Sequence, residues 1–190
     1  MTTPTAARIT AAALAILTDE GSDAVSMRRV ATAAGITPMA IYKHFPDRLA
    51  LLRTVADSAF AEIGATWGRR GEDFPGRFEG LLDDFLDFAL GSPHLYTFLI
   101  TDRREPVRRF PEDFAERRSP LYRHVLDLAE EAMDAGFLRR DDPLEVSLAF
   151  TSASQGLVQL YLGGRIGLSE PDFRGLCRRT TWRILHGLEA

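Results

Sequence analysis

The chain is expected to be all-α, with a three-helix amino-terminal domain followed by a larger helical one. Three observations predict this. Apolar residues recur at helical spacing in nearly every periodic segment. No run of alternating β-branched residues marks a strand. Segment starts carry a capping residue followed by proline, at Thr3-Pro4, Thr37-Pro38 and Asp142-Pro143. With 190 residues, 45% apolar and 26% charged, the chain is long and apolar enough to bury a sizeable core.

The first helix opens at Thr3-Pro4, carries Ile9, Ala12, Ala13, Ile16 and Leu17 on one face, and ends at Gly21. Ser26 is a good N-cap for a short second helix whose stripe is Val30, Ala31 and Ala34. Gly35 then supplies the positive φ that a tight turn out of a helix requires. Thr37-Pro38 opens a third helix of about two turns, to Phe45. Pro46-Asp47 breaks it and caps a fourth, which runs through Leu51, Leu52, Val55 and Phe60 towards Trp67. A loop with Gly71, Pro75 and Gly76 follows, then helices at about Arg77–Leu90, His94–Thr101, Pro120–Ala135, Pro143–Leu162 and Glu170–Leu188. Between Arg103 and Ser119, Pro106, Pro111 and Pro120 interrupt any long helix, though Pro111-Glu112-Asp113 suits the first turn of a short one.

Composition narrows the function. No apolar run approaches the roughly 18 residues of a membrane span, and the start, Met1-Thr2-Thr3-Pro4, has neither the basic nor the apolar region of a secretory signal. The single cysteine, Cys177, cannot form an internal disulfide and has no clustered partners for a metal. A reduced, cytoplasmic protein with no cofactor, no metal and no membrane partner is expected. The net charge of −4 argues at first against nucleic acid, but the acid sits in Asp83-Asp84, Glu130-Glu131 and Asp141-Asp142. From Ser26 to Arg48 the cations Arg28, Arg29, Lys43 and Arg48 face Asp47 alone. A small basic face on an acidic body still steers DNA to one side.

Two short helices joined by a glycine turn behind a supporting helix make a helix-turn-helix. Ala40, Ile41 and Phe45 dock the recognition helix on its own domain. Thr37, Pro38 and Met39 sit at its amino end, nearest the base edges: Thr37 to reach a base or phosphate, Pro38 and Met39 to touch thymine methyls. Tyr42, Lys43 and His44 lie further along, suited to phosphate contacts that fix register. Ser26 and Arg28 hold the flanking backbone, and Arg48 adds a charge in the first turn of the fourth helix. Most of these have a plainer reading. Ser26 and Thr37 cap helices with or without DNA, Tyr42 is half core, and Arg28, Arg29 and His44 solvate a surface. Lys43 is different, being the only lysine among 23 basic residues.

The segment Val25-Ser26-Met27-Arg28-Arg29-Val30-Ala31-Thr32-Ala33-Ala34-Gly35-Ile36-Thr37, with Ala40-Ile41-Tyr42-Lys43-His44-Phe45-Pro46-Asp47-Arg48-Leu49-Ala50-Leu51-Leu52, resembles the DNA-binding domain of the TetR family. The close match covers about Ile9 to Val55. Arg48 stands where lysine is commoner in the family, which preserves the charge. The resemblance implies a helix-turn-helix DNA-binding domain over 1–48 and a helical effector-binding and dimerisation domain over 49–190.

One helix-turn-helix reads too few base pairs to find its site in a genome, so a homodimer reading a palindromic double-stranded DNA operator is expected. The penultimate helix offers Val146, Ala149, Phe150, Ala153, Gly156, Leu157 and Leu160, and the last one Phe173, Leu176, Thr180, Ile184 and Leu188. The resemblance implies that these two helices from each subunit form a four-helix bundle. It also implies a repressor released by a small, largely apolar effector, held among middle helices rich in Phe85, Phe88, Tyr96, Phe98, Phe114 and Tyr122, with the fourth helix as the lever. The competing readings are a helical ligand-binding or scaffold protein, which leaves the segment around Lys43 unexplained, and an enzyme. Against the enzyme, His44, His94, His124, His186 and Cys177 are scattered, with no phosphate loop or nucleophile elbow.

Overall fold

The computed structural model describes residues 4–102, 109–116 and 119–187. Thr3, Pro106 and Leu188, which the sequence singled out, lie outside them. Among the described residues there is no strand, and there are ten α-helices: α1 Pro4–Glu20, α2 Met27–Ala33, α3 Pro38–Ile41, α4 Arg48–Thr66, α5 Phe74–Gly91, α6 Pro93–Tyr96, α7 Glu112–Ala115, α8 Pro120–Asp134, α9 Pro143–Leu162 and α10 Glu170–His186. A 3-10 turn at Ser22–Ala24 leads into α2, and a π-helical turn at Thr97–Thr101 extends α6.

The chain forms two compact units, Met1–Ile63 with Ser92–Arg103, and Gly64–Gly91 with Arg104–Ala190. In the first, α1 packs on α2 and also on α6, so a segment distant in sequence closes over the amino-terminal helices. Its core is Ile9, Leu17, Val30, Ile41, Leu51 and Val55, all fully buried. Tyr96 and Phe98 belong to this core rather than to the aromatic middle of the second unit.

In the second unit α9 packs between α8 and α10, with α5 against all three. The α5–α10 contact is an antiparallel polar ladder. Glu79 accepts from Trp182 Nε1 at 2.9 Å, Asp83 pairs with Arg178 at 2.6 Å, and Asp87 with Arg174 at 2.7 Å. Residues four apart on each helix meet in reverse order, as the i, i+4 neighbours of two facing surfaces must. Burial alone would raise the carboxyl pKa of Asp87, but hydrogen bonds from Arg70 and Arg174 outweigh it and hold the group below its ordinary value. Asp84 turns inward instead: it is 8% exposed, pairs with Arg70 at 2.9 Å and accepts from Gly68 N at 3.0 Å.

Two helix boundaries and one apolar stripe depart from the expected ones. α5 begins at Phe74, three residues before Arg77, because Asp73 Oδ1 accepts from Gly76 N at 2.9 Å and caps a first turn that tolerates Pro75. α3 is regular only to Ile41; Lys43 N and His44 N then bond to carbonyls three residues back, tightening the exit into a turn. On α9 the expected apolar stripe divides. Val146 and Phe150 are buried with Ser147, Ser154 and Val158, while Ala149, Gly156 and Leu160 lie on the exposed face. The caps at Asp142 and Ser169 form as expected, accepting from Leu144 N at 2.8 Å and Asp172 N at 3.3 Å.

Candidate nucleic-acid interface

Four features position the expected reading residues. Ser26 Oγ accepts from Arg29 N at 3.3 Å and starts α2. Gly35, at φ 64°, turns the chain. Thr37 Oγ1 accepts from Ala40 N at 3.2 Å, with Pro38 in the first turn, and starts α3. Ile41 and Phe45, at 0% and 6% exposure, fasten the inner side of α3 to the core. What α3, its cap and the turn after it do not bury they present outward: Thr37, Pro38, Met39, Tyr42, Lys43 and His44 are all outside the core, Met39 at 79% exposure and Tyr42 at 52%. Each cap stabilises its helix by about 1 kcal/mol. A hydroxyl that accepts one amide keeps its own hydrogen, so Ser26 and Thr37 can still donate to a phosphate oxygen.

The cations of this segment divide into two kinds. Arg29 forms a two-point pair with Glu20, one arm at 2.9 Å, which joins the end of α1 to α2. The same hydrogen bonds lower the pKa of Glu20 and raise that of Arg29. Arg48 turns its guanidinium to main-chain carbonyls, Nε donating to Val25 O at 2.7 Å and Nη2 to Ser22 O at 2.5 Å. Arg28 and Lys43 are exposed and make no ion pair among the described residues. The uncommitted charge is therefore Arg28 and Lys43. This division has no signal in the sequence, because a charged residue after a helix start carries no mark of where its head group goes.

Elsewhere, among the described residues, no group of three or more His, Cys, Asp or Glu side chains is placed to hold a metal, and no helix is long and apolar enough to cross a membrane. Cys177 is buried, and burial pushes its thiol up to about 11. The second unit holds a polar cavity of about 90 Å³ beside Arg77, His124, Asp127 and Glu131. That is well below the roughly 300 Å³ at which small-molecule pockets begin.

The arrangement is a helix-turn-helix with its second helix displayed. The family model described as "Bacterial regulatory proteins, tetR family" matches residues 9–55, and "Tetracyclin repressor-like, C-terminal domain" matches residues 78–182. The chain belongs to the TetR family. As a TetR-family protein it is a DNA-binding transcriptional regulator, and the second match extends the likeness well beyond the segment from about Ile9 to Val55 that carried the resemblance in the sequence. No curated protein matches the chain.

Solved structures share the fold. A protein of unknown function from Rhodococcus sp. RHA1 is 24% identical with a TM-score of 0.81, covering 98% of this chain and 96% of its own. The fatty acid degradation regulator FadR from Bacillus halodurans is 14% identical with a TM-score of 0.73, covering 96% and 99%. The flavonoid-responsive regulator FrrA is 20% identical with a TM-score of 0.66, covering 97% of each chain. At these identities the likeness concerns the fold.

Proposed function

We propose that this TetR-family regulator is a repressor that binds a palindromic operator as a homodimer and is released by a small, largely apolar effector. The observation that carries the reading is the outward side of α3. Met39 and Tyr42 stand exposed beside the uncommitted Lys43, above a helix face fixed by Ile41 and Phe45. A helix docked on one side and bare on the other is what insertion into a major groove requires. Pro38 and Met39 meet thymine methyls, Thr37 a base or phosphate, and Ser26, Arg28, Tyr42, Lys43 and His44 hold the backbone. On this reading 1–48 is the DNA-binding domain and 49–190 the effector-binding and dimerisation domain.

The exposed side of α9 supports the dimer. Leu148, Ala149, Gly156 and Leu160 leave apolar and small side chains uncovered. A Cβ added at Gly156 would meet nothing within 4 Å, so no neighbour in the chain requires the glycine. FrrA and FadR, one flavonoid-responsive and the other concerned with fatty acid degradation, support an apolar organic effector by their names. Release follows from linkage: a ligand that prefers the DNA-free state lowers DNA affinity by its differential affinity for the two states.

Selection of sites from a random duplex library tests the reading, with Tyr42→Ala/Lys43→Ala as control. Enrichment of a palindrome that the double variant loses is the expected result. A folded wild type that enriches nothing at low salt would refute operator recognition.

A further inference from the structure

Arg48 opens α4, one residue after Asp47, whose Oδ1 accepts from Ala50 N at 2.7 Å. Its two bonds reach back 23 and 26 residues, to Val25 O and Ser22 O. Both acceptors are firmly held. Val25 is 1% exposed, and Ser22 O already accepts from Val25 N at 3.1 Å, closing the 3-10 turn. Ser26, the next residue, caps α2. One side chain thus joins the residues just before α2 to the first residue of α4, and everything that reads DNA lies in the stretch between them.

We propose that Arg48 is a positioning residue for operator recognition. Its guanidinium closes the base of the helix-turn-helix and sets the orientation at which α3 is presented, in place of neutralising a phosphate. The proposal rests on the DNA-binding reading above. The fork of a guanidinium places Nε–H and one Nη–H side by side at fixed spacing, matching two neighbouring carbonyls. An ammonium at the end of a flexible stem carries the same charge as a single point and cannot reproduce that match. A side chain that orients the reading helix affects the right sequence far more than the wrong one, because non-specific binding is carried by phosphate charge.

The test measures affinity for the selected operator and for an unrelated duplex across a salt series, with wild type, Arg48→Gln, Arg48→Lys and Lys43→Ala. Arg48→Gln is expected to weaken operator binding about tenfold or more, with non-specific affinity within about twofold and the salt slope unchanged. Arg48→Lys is expected to stay close to Arg48→Gln on the operator, because it restores the charge without the fork. Lys43→Ala is expected to weaken both duplexes and flatten the slope by about 0.9 for each phosphate it no longer neutralises.

The proposal is overturned if Arg48→Gln flattens the slope as Lys43→Ala does and lysine restores affinity, since Arg48 is then a phosphate contact. It is also overturned if the variants melt earlier yet keep the wild-type ratio of specific to non-specific binding. Circular dichroism checks folding. Should Arg48→Gln not fold, Arg48→Lys decides alone: a diminished ratio at unchanged slope supports the proposal, and a wild-type ratio rejects it. Wild type that binds no duplex is a separate result, which rejects the DNA reading itself.

Discussion

Thr37 has two roles that substitution can separate. Its Oγ1 accepts from Ala40 N, one of the otherwise unpaired amides at the start of α3, while its hydroxyl hydrogen stays available to a phosphate or base. Thr37→Ala removes both, and is expected to lower the unfolding free energy by about 1 kcal/mol in urea denaturation. Thr37→Ser keeps the oxygen and is expected to recover most of that stability. If serine recovers stability but not operator affinity, the missing methyl matters to reading; if alanine leaves stability unchanged, the cap contributes nothing in solution. Such caps were legible in the sequence, because capping depends on residue type at one position and on a proline or acid nearby. The partners of Arg29, Arg48 and Asp84 were not legible. Each reaches a group at least nine residues away, and Asp84, which reads as half of an acidic surface pair, is instead buried against Arg70.

Among the elements, the turns show how similar glycines carry different constraints. Gly35 and Gly71 both have positive φ, 64° and 80°. A Cβ at Gly35 would meet nothing within 4 Å, whereas one at Gly71 would lie 2.2 Å from the carbonyl carbon of Gly76. Gly35→Ala therefore incurs only the left-handed backbone penalty, about 1–2 kcal/mol, and Gly71→Ala adds a main-chain collision. Urea midpoints are expected to fall for both variants and further for Gly71→Ala. Equal losses would mean that the loop before α5 shifts freely. The same loop explains the missed start of α5: Pro75 and Gly76 read as a break, and only the side-chain cap from Asp73 makes them a first turn. The packing of α6 on α1 had no sequence signal either, since periodicity reports which face of a helix is apolar and is silent on what covers it.

For the whole molecule, the buried Cys177, Tyr96 and Tyr122 side chains link folding to alkaline pH. Burial pushes the thiol of Cys177 from 9.0 up to about 11, and the phenols of Tyr96 and Tyr122 from 10.0 up to about 12. Each folded value lies above the unfolded one, so the folded state holds protons that the unfolded chain releases. The stabilisation is complete below about pH 9 and is lost as pH rises through the folded values. The urea midpoint is expected to fall between about pH 9 and pH 12, and Cys177→Ala to make that fall shallower. The last prediction concerns assembly. Leu160 lies 43% exposed on the uncovered side of α9, where its removal disturbs little within the chain. In a dimer built on that face, Leu160→Glu would bring two carboxylates together in an apolar interface, an arrangement that costs several kcal/mol when unpaired. The variant is expected to sediment as a folded monomer, with an unchanged helical spectrum and operator affinity reduced by orders of magnitude, because each remaining head reads only half a palindrome. A Leu160→Glu protein that still sediments as a dimer and still holds the full operator would move the subunit interface to another face and leave the exposed stripe of α9 without a role in assembly.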